Sequence, residues 1–385
     1  MKILFAVPDT TVGGVTTSAV NLSNELVKQG HRVYFLDMSA ENQCADTLDE
    51  RAKTVFLKGR SVFWNIGASR VKNSCGIKKI GILTLGLLKK LTIKSGLWYR
   101  LIFSNFKEYG EFDVAVAFRQ CAPCYSFVLN KVNAKKKIGF VHGDVKEMGD
   151  ISSWQKYMSA FDKVAYVSNA VRDGFVATYP ELKENAATIY NMFNVERIND
   201  LSKCSPMIAF DKECVNIVTV ARITKQKQID WILYACSELK KTTKTPFRWY
   251  IVGDGYFFEK LKELSASLGV NDVVIFTGST NNPYPLIKNA DFTVLPSRGE
   301  AYGMVVVESF ILKTPIVVAD YGALKEIMND GEYGLVAKQS IESLTACVLN
   351  MLENREAVRS TCQERVNEYT YTNAMAYNQF MDALK

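Results

Sequence analysis

Short β-rich apolar runs alternate with helical stretches along this whole sequence, and the alternation restarts near residue 215. In the first half the runs are Ile3–Val7, Val33–Leu36, Val114–Phe118, Lys137–Val141, Val164–Val167 and Thr188–Tyr190. In the second half they are Ile217–Val220, Trp249–Val252, Val273–Phe276, Phe292–Leu295 and Ile316–Val318. Continuous apolar strands between helices bury both faces, as in parallel sheets covered on each side. The chain has 385 residues, more than one ordinary core holds, so the restart marks a second domain. The pattern predicts an α/β protein of two Rossmann-like, doubly wound domains, 1–200 and 201–372, joined near 196–214. Such sheets bind ligands at the C-terminal ends of their strands, and two facing each other make a cleft. The last helical stretch, 373–385, is a candidate to pack back on the first domain.

Charge is unevenly spread. The net charge is +7, yet every charged residue from Lys58 to Lys107 is Lys or Arg, and the remainder is slightly acidic. A local basic block implies a local anionic partner. On a helical wheel, Lys78, Lys79, Lys89, Lys90, Lys94, Arg100 and Lys107 fall on one side. Trp98, Tyr99, Leu101 and Ile102 fall on the other, and Gly81, Gly86 and Gly96 divide the stretch into shorter helices. Basic on one side and aromatic on the other suits an anionic membrane surface met through 78–107. The competing reading is an amphipathic helix whose apolar face is domain core. Nothing else in the sequence points to nucleic acid. No apolar run here is long enough to cross a bilayer. The opening "MKILFAVPDT" reads as a buried strand, not a signal peptide, and the cysteines are odd in number and scattered. Together these predict a reducing cytoplasm. The one close pair, Cys121-Ala-Pro-Cys124, reads as structural.

The stretch Pro296–Ser309, "PSRGEAYGMVVVES", holds two acids of different setting. Glu300 lies in the loop after strand Phe292–Leu295. Glu308 lies one turn into a helix that begins near Gly303–Met304 and runs through Leu312. Helical side chains lean toward the N-terminus, so Glu308 points back at whatever sits above the first turn. Free N–H groups near Met304 and Val305 welcome a phosphate there, and a carboxylate behind them accepts from ribose hydroxyls. The apolar neighbours of Glu308 argue against a surface position, since a buried acid needs a partner. Arg222 stands just past strand Ile217–Val220, with Lys227 five residues on. The two either clamp a diphosphate or are part of a solvated loop. Gly13-Gly14 precedes a helix and either admits an anion to the backbone or forms a plain turn. Gly253-Asp-Gly255 reads as a turn that starts the next helix. His142 ends a strand that opens on the cleft and is a site candidate; His31, in a helix-to-strand turn, is structural. With no Asp-x-Asp in the chain, no metal or cofactor is expected, and Arg222, Lys227 and a helix N-terminus supply the positive charge.

These pieces resemble a retaining glycosyltransferase of the GT-B fold, of the glycosyltransferase group 1 (GT4) type, with a capsule or O-antigen assembly flavour. The resemblance covers nearly the whole chain and is densest from Ile217 to Val336. The family's E-x7-E motif reads as Glu300 and Glu308, its R-x4-K pair as Arg222 and Lys227, and its Gly-Gly as Gly13 and Gly14. "VSNAVRDGF", "IYNMFN", "IVGDG", "IFTGST" and "YGALKEIMNDGEYGLV" also look like family segments. Ala301 stands where the family usually has Gly.

The resemblance implies that Arg222 and Lys227 neutralise the diphosphate of a nucleotide sugar as it leaves. It gives Glu308 the ribose, Glu300 and His142 the donor sugar, and Gly278 the nucleobase. It implies retention of anomeric configuration without an enzymic nucleophile, unlike two-carboxylate hydrolysis. The expected partners are a nucleotide-sugar donor, UDP-linked by family frequency, and a lipid-linked glycan acceptor. The expected location is the inner face of the cell membrane, held peripherally. A sugar-nucleotide epimerase of the same fold tends to lack this combination of motifs. A nicotinamide dehydrogenase is disfavoured by the missing GxGxxG fingerprint.

Overall fold

The computed structural model describes residues 1–10, 13–39, 44–57, 109–328, 333–369 and 371–385. The basic stretch Lys58–Lys107, with the membrane-facing reading of 78–107, lies outside the described residues. The chain divides into two compact units, Met1–Phe193 with Asn373–Lys385, and Asn194–Thr372. The second unit begins before the expected join at 196–214. Its first helix, Val195–Leu201, is capped by the Asn194 side chain, which accepts from the N–H of Arg197 at 2.9 Å. That helix packs against the helices Tyr284–Asn289 and Met304–Ile311, so it belongs to the second core.

Among the described residues, the first unit holds β1 (Lys2–Val7), β2 (Arg32–Asp37), β3 (Lys53–Phe56), β4 (Phe112–Ala117), β5 (Ala134–Val141), β6 (Lys163–Tyr166) and β7 (Ala186–Thr188). They form one parallel sheet in the order β3-β2-β1-β4-β5-β6-β7. The order reverses between β1 and β4, which is where such sheets open a crevice. Apolar side chains from both faces are fully buried, as continuous hydrophobic strands require. The run Thr188–Tyr190 is not itself a strand. The ladder ends at Thr188, after which the N–H of Ile189 reaches Tyr166 O and that of Tyr190 reaches the Gln379 side chain.

Gln379 lies on the helix Ala374–Asp382, which packs into the first unit's core through Ala376 and Phe380. Phe380 stacks on Phe5. The Asn373 side chain accepts from Phe193 N–H and donates to Phe193 O, tying the returning segment to the end of the unit.

The second unit holds β8 (Val215–Val220), β9 (Phe247–Val252), β10 (Val274–Gly278), β11 (Phe292–Leu295), β12 (Ile316–Ala319) and β13 (Leu335–Ala337). Their parallel order is β10-β9-β8-β11-β12-β13. Here the order reverses between β8 and β11, so the crevice opens where the loops carrying Arg222 and Glu300 leave the sheet. Trp249 anchors the core; its indole N–H donates to Thr219, whose hydroxyl donates to Val294 O. Among the described residues, no helix is long and apolar enough to cross a membrane.

Candidate active site

The loop after β8 leaves the sheet by continuing its pairing with β9: Ala221 N–H bonds Val252 O and Ile223 N–H bonds Asp254 O. This close approach explains Gly253-Asp-Gly255. A Cβ on Gly253 would lie 1.9 Å from Ala221 O, and one on Gly255 would lie 2.2 Å from Ile223 O. The two glycines therefore do more than begin the next helix. They let the backbone that carries Arg222 lie flat on its neighbour. Arg222 is exposed, and its guanidinium makes no ion pair among the described residues. Gly278 ends β10, and its carbonyl accepts the Gly253 N–H at 2.9 Å.

Lys227 turns inward instead. Its ammonium pairs with the Glu300 carboxylate, and both side chains are largely buried. The two motifs are thus joined across the switch point between β8 and β11. The backbone secures the junction, with Arg298 N–H donating to Gln226 O at 3.0 Å and the Gln226 amide donating to Gly299 O at 2.8 Å. From the other side, the Gln339 amide donates to Ser297 O at 3.1 Å and to Asp320 O at 2.6 Å. Two glutamines therefore hold the carbonyls on either side of Arg298 in the loop that presents Glu300. Neither had a sequence signal, because Gln in a polar loop is unremarkable until its partners are known.

The helix Met304–Ile311 begins at Gly303, whose φ of 85° is open to glycine at little cost. A Cβ there would meet the Tyr321 hydroxyl at 2.1 Å. The first bond of the turn runs from Val306 N–H to Gly303 O, which leaves the N–H groups of Met304 and Val305 ahead of the helical ladder. Behind them, Glu308 is buried, as the apolar run around it suggested. Its partner is Tyr284, whose hydroxyl donates to the carboxylate at 3.3 Å. Burial raises the Glu308 pKa to about 7, and the hydrogen bond from Tyr284 restrains the rise. The acid is poised between charge states until a donor of hydrogen bonds arrives.

In the first unit, Gly13 caps the helix Gly14–Lys28, and a Cβ on it would meet nothing within 4 Å. His142 follows β5 and stacks on Phe140 and Phe118. Its Nε2–H donates to Phe118 O at 2.8 Å. Burial lowers its pKa to about 4, so the ring is neutral at physiological pH and Nδ1 is left as an acceptor. His31 is structural: its ring joins the N-terminal amine and the Tyr377 hydroxyl.

Residues 207–371, nearly all of the second unit, match the family model described as Glycosyl transferases group 1. Over the whole chain, the HepE protein of Anabaena, solved with UDP-glucose, aligns with a TM-score of 0.70 at 16% identity, covering 100% of this chain and 99% of that one. A protein of Klebsiella pneumoniae, described as an uncharacterized 41.2 kDa protein in the cps region, is 24% identical over 96% of both chains. A Campylobacter jejuni N-acetylgalactosaminyltransferase, named for a diphospho-undecaprenol acceptor, is 26% identical over 47% of this chain and 49% of its own. The chain spans about half the length of several curated relatives it matches. Two parallel α/β units with these neighbours define the GT-B fold. The second unit carries the match to the glycosyltransferase group 1 family model.

Proposed function

We propose that this protein is a retaining glycosyltransferase that moves a sugar from a nucleotide-sugar donor to a lipid-linked oligosaccharide in bacterial surface-polysaccharide synthesis. The donor is a UDP-linked hexose or N-acetylhexosamine. The observation that carries this reading is the meeting of Lys227 with Glu300 at the β8/β11 switch point, with a free Arg222 beside it in sequence and a buried Glu308 behind an open helix end. A diphosphate draws Lys227 off Glu300 and recruits Arg222 and the N–H groups of Met304 and Val305. These groups stabilise negative charge as the leaving group departs. The ribose hydroxyls donate to Glu308, and Gly278 lies under the nucleobase. Glu300, released from Lys227, accepts from the donor sugar. His142 offers Nδ1 to a sugar hydroxyl. The donor phosphate itself takes the acceptor proton on the face from which it leaves, which retains configuration. The relatives support the setting: one is described by its cps region and one by an undecaprenol-linked acceptor.

Incubation with a panel of UDP- and GDP-sugars, reading nucleotide release, is expected to give turnover with a UDP-sugar that persists in EDTA. No release from any donor overturns the reading. Activity lost in EDTA and restored by magnesium or manganese overturns the metal-independent form of it, in which protein cations do the neutralising.

The Gln339 bridge gives a smaller effect. Gln339→Ala is expected to lower kcat about 10-fold with the fold intact, because the loop of Glu300 loses the amide that bridges Ser297 O to Asp320 O and drifts from its working position. Steady-state kinetics beside a melting curve checks this, and an unchanged kcat counts against it.

We further propose that the basic stretch 78–107 holds the enzyme on anionic lipid at the cytoplasmic face, where a lipid-linked acceptor is found. Each Lys or Arg near such a surface contributes about 1 kcal/mol. Changing Lys78, Lys79, Lys89, Lys90 and Lys94 to Glu is expected to abolish flotation with anionic vesicles. Flotation retained by the folded variant refutes the assignment.

A further inference from the structure

The pair Cys121-Ala-Pro-Cys124 lies at the carboxyl end of β4, beside the switch point of the first unit, and the proposed transfer reaction makes no use of it. Cys121 is the last extended residue before the helix Ala122–Lys131, with Pro123 in the first turn. Its carbonyl already accepts the first helical bond, from Tyr125 N–H at 3.1 Å. Cys124 is the third residue of that helix. A side chain at the cap position faces the third helical residue, the relation that lets capping side chains reach across the first turn. The two side chains are close enough to share a hydrogen bond.

The two thiols differ. Cys121 is half-buried, whereas Cys124 is fully buried. The Cys124 thiol donates to Ala6 O on β1 at 3.2 Å. Its one hydrogen serves either that carbonyl or the sulfur of Cys121. A hydrogen bond from Cys124, opposed by burial and aided by the Arg119 guanidinium, lowers the Cys121 pKa, while burial raises that of Cys124. Arg119 itself is held two residues ahead of Cys121 by Asp9 at 2.6 Å. The free N–H groups of a helix N-terminus also favour a thiolate. A partly exposed cysteine of lowered pKa beside a buried one that can resolve it is an arrangement suited to thiol–disulfide exchange.

We propose that Cys121 and Cys124 form a thiol–disulfide exchange site that reduces small-molecule disulfides of the glutathione type and holds the oxidising equivalents as an intrachain disulfide. The Cys121 thiolate attacks one sulfur of the small disulfide and expels one thiolate, giving a mixed disulfide. Cys124 then gives up its proton, attacks the Cys121 sulfur and expels the second thiolate. One disulfide is reduced to two thiols, and the two protein thiols are oxidised to one disulfide. The Cys124 hydrogen no longer serves Ala6 O, so the step also releases a bond between the helix and β1. A transient bond of this kind fits a reducing compartment, where stable disulfides are rare but exchanging ones occur.

The test uses the full chain, and its readout does not depend on glycosyl transfer. The protein is equilibrated with glutathione and glutathione disulfide at graded ratios, quenched with acid, alkylated, digested and weighed. The peptide holding both cysteines is expected to lose two hydrogens and carry no adduct, while the exposed single thiol of Cys204 gains glutathione. Cys121→Ser is expected to abolish the intrachain bond, and Cys124→Ser to retain glutathione on Cys121. At pH 7, iodoacetamide is expected to modify Cys121 faster than Cys204, because the hydrogen bond from Cys124 lowers the Cys121 pKa. If both thiols of the wild-type protein stay free at ratios where Cys204 is modified, the proposal fails. It fails equally if Cys121 reacts no faster than Cys204.

Discussion

Arg222→Ala is expected to lower turnover by roughly 10²–10³-fold while the protein melts where the wild type does. The two halves of this expectation have separate causes. Arg222 is exposed and makes no ion pair among the described residues, so its removal breaks no contact that holds the fold. Substitutions at such positions usually stay within about 0.5 kcal/mol of neutral. Its backbone, by contrast, is fixed on both sides, with Ala221 and Ile223 laid on β9 by the space that Gly253 and Gly255 leave. A long cation on a rigid base at a strand's carboxyl end is suited to meet charge that develops on a leaving diphosphate. Arg222→Lys is expected to recover only part of the loss, because a single ammonium cannot make the paired contacts of a guanidinium. Lys227→Ala serves as the contrast. It strips the partner from a largely buried Glu300, so stability and rate fall together. Steady-state nucleotide release and thermal melting, measured on the same samples, separate the two cases. Near-wild-type turnover in Arg222→Ala removes it from the site.

Much of the fold was legible in the sequence because the interior strands carry unbroken apolar runs. β3 and β13 were missed for the same reason. Each is a short edge strand among the described residues, and "KTVF" and "LVA" give too few apolar positions to stand out. β7 ends at Thr188, the first residue of the run expected to form it, because Gln379 on the returning helix takes the hydrogen bond of Tyr190. For the site, strand ends and helix starts placed Arg222, Lys227, Glu300 and Glu308 correctly in their local settings. The partners of those residues were not legible. Tyr284, Gln339 and Tyr321 come from other elements, and Gln226, beside Lys227, meets a loop 73 residues on; no local period marks a residue whose role is to meet one distant atom. That Lys227 rests on Glu300, and not in solvent, also had no local sign.

The burial of Glu308 matters most, because it makes donor binding depend on pH. Glu308→Ala is expected to cost roughly 10²–10³ in turnover, comparable to loss of Arg222. The subtler expectation concerns the wild type. Burial raises the Glu308 pKa to about 7 from 4.5. The folded, ligand-free protein therefore binds more protons at this group than the unfolded chain does between those values. Its contribution to stability is full below pH 4.5 and is lost as pH rises through 7. Donor binding has the opposite sign. Ribose hydroxyls donate to the carboxylate, so the bound state favours the ionised form, and the proton must leave as the donor enters. Affinity for a nucleotide sugar is expected to weaken about 10-fold per unit as pH falls below 7, and to level off above about 8. A nucleotide sugar is the right probe, since its diphosphate is substituted at both ends and does not titrate in this window. His142 does not interfere, because its pKa of about 4 leaves it neutral throughout. Tyr284→Phe removes the hydrogen bond that restrains the pKa, so the midpoint is expected to move above 7. Glu308→Gln cannot ionise, and its affinity is expected to be weak and flat from pH 6 to 8. Calorimetric titrations across that range read all three proteins. A pH slope that survives in Glu308→Gln assigns the proton to another group and ends the role given to this one.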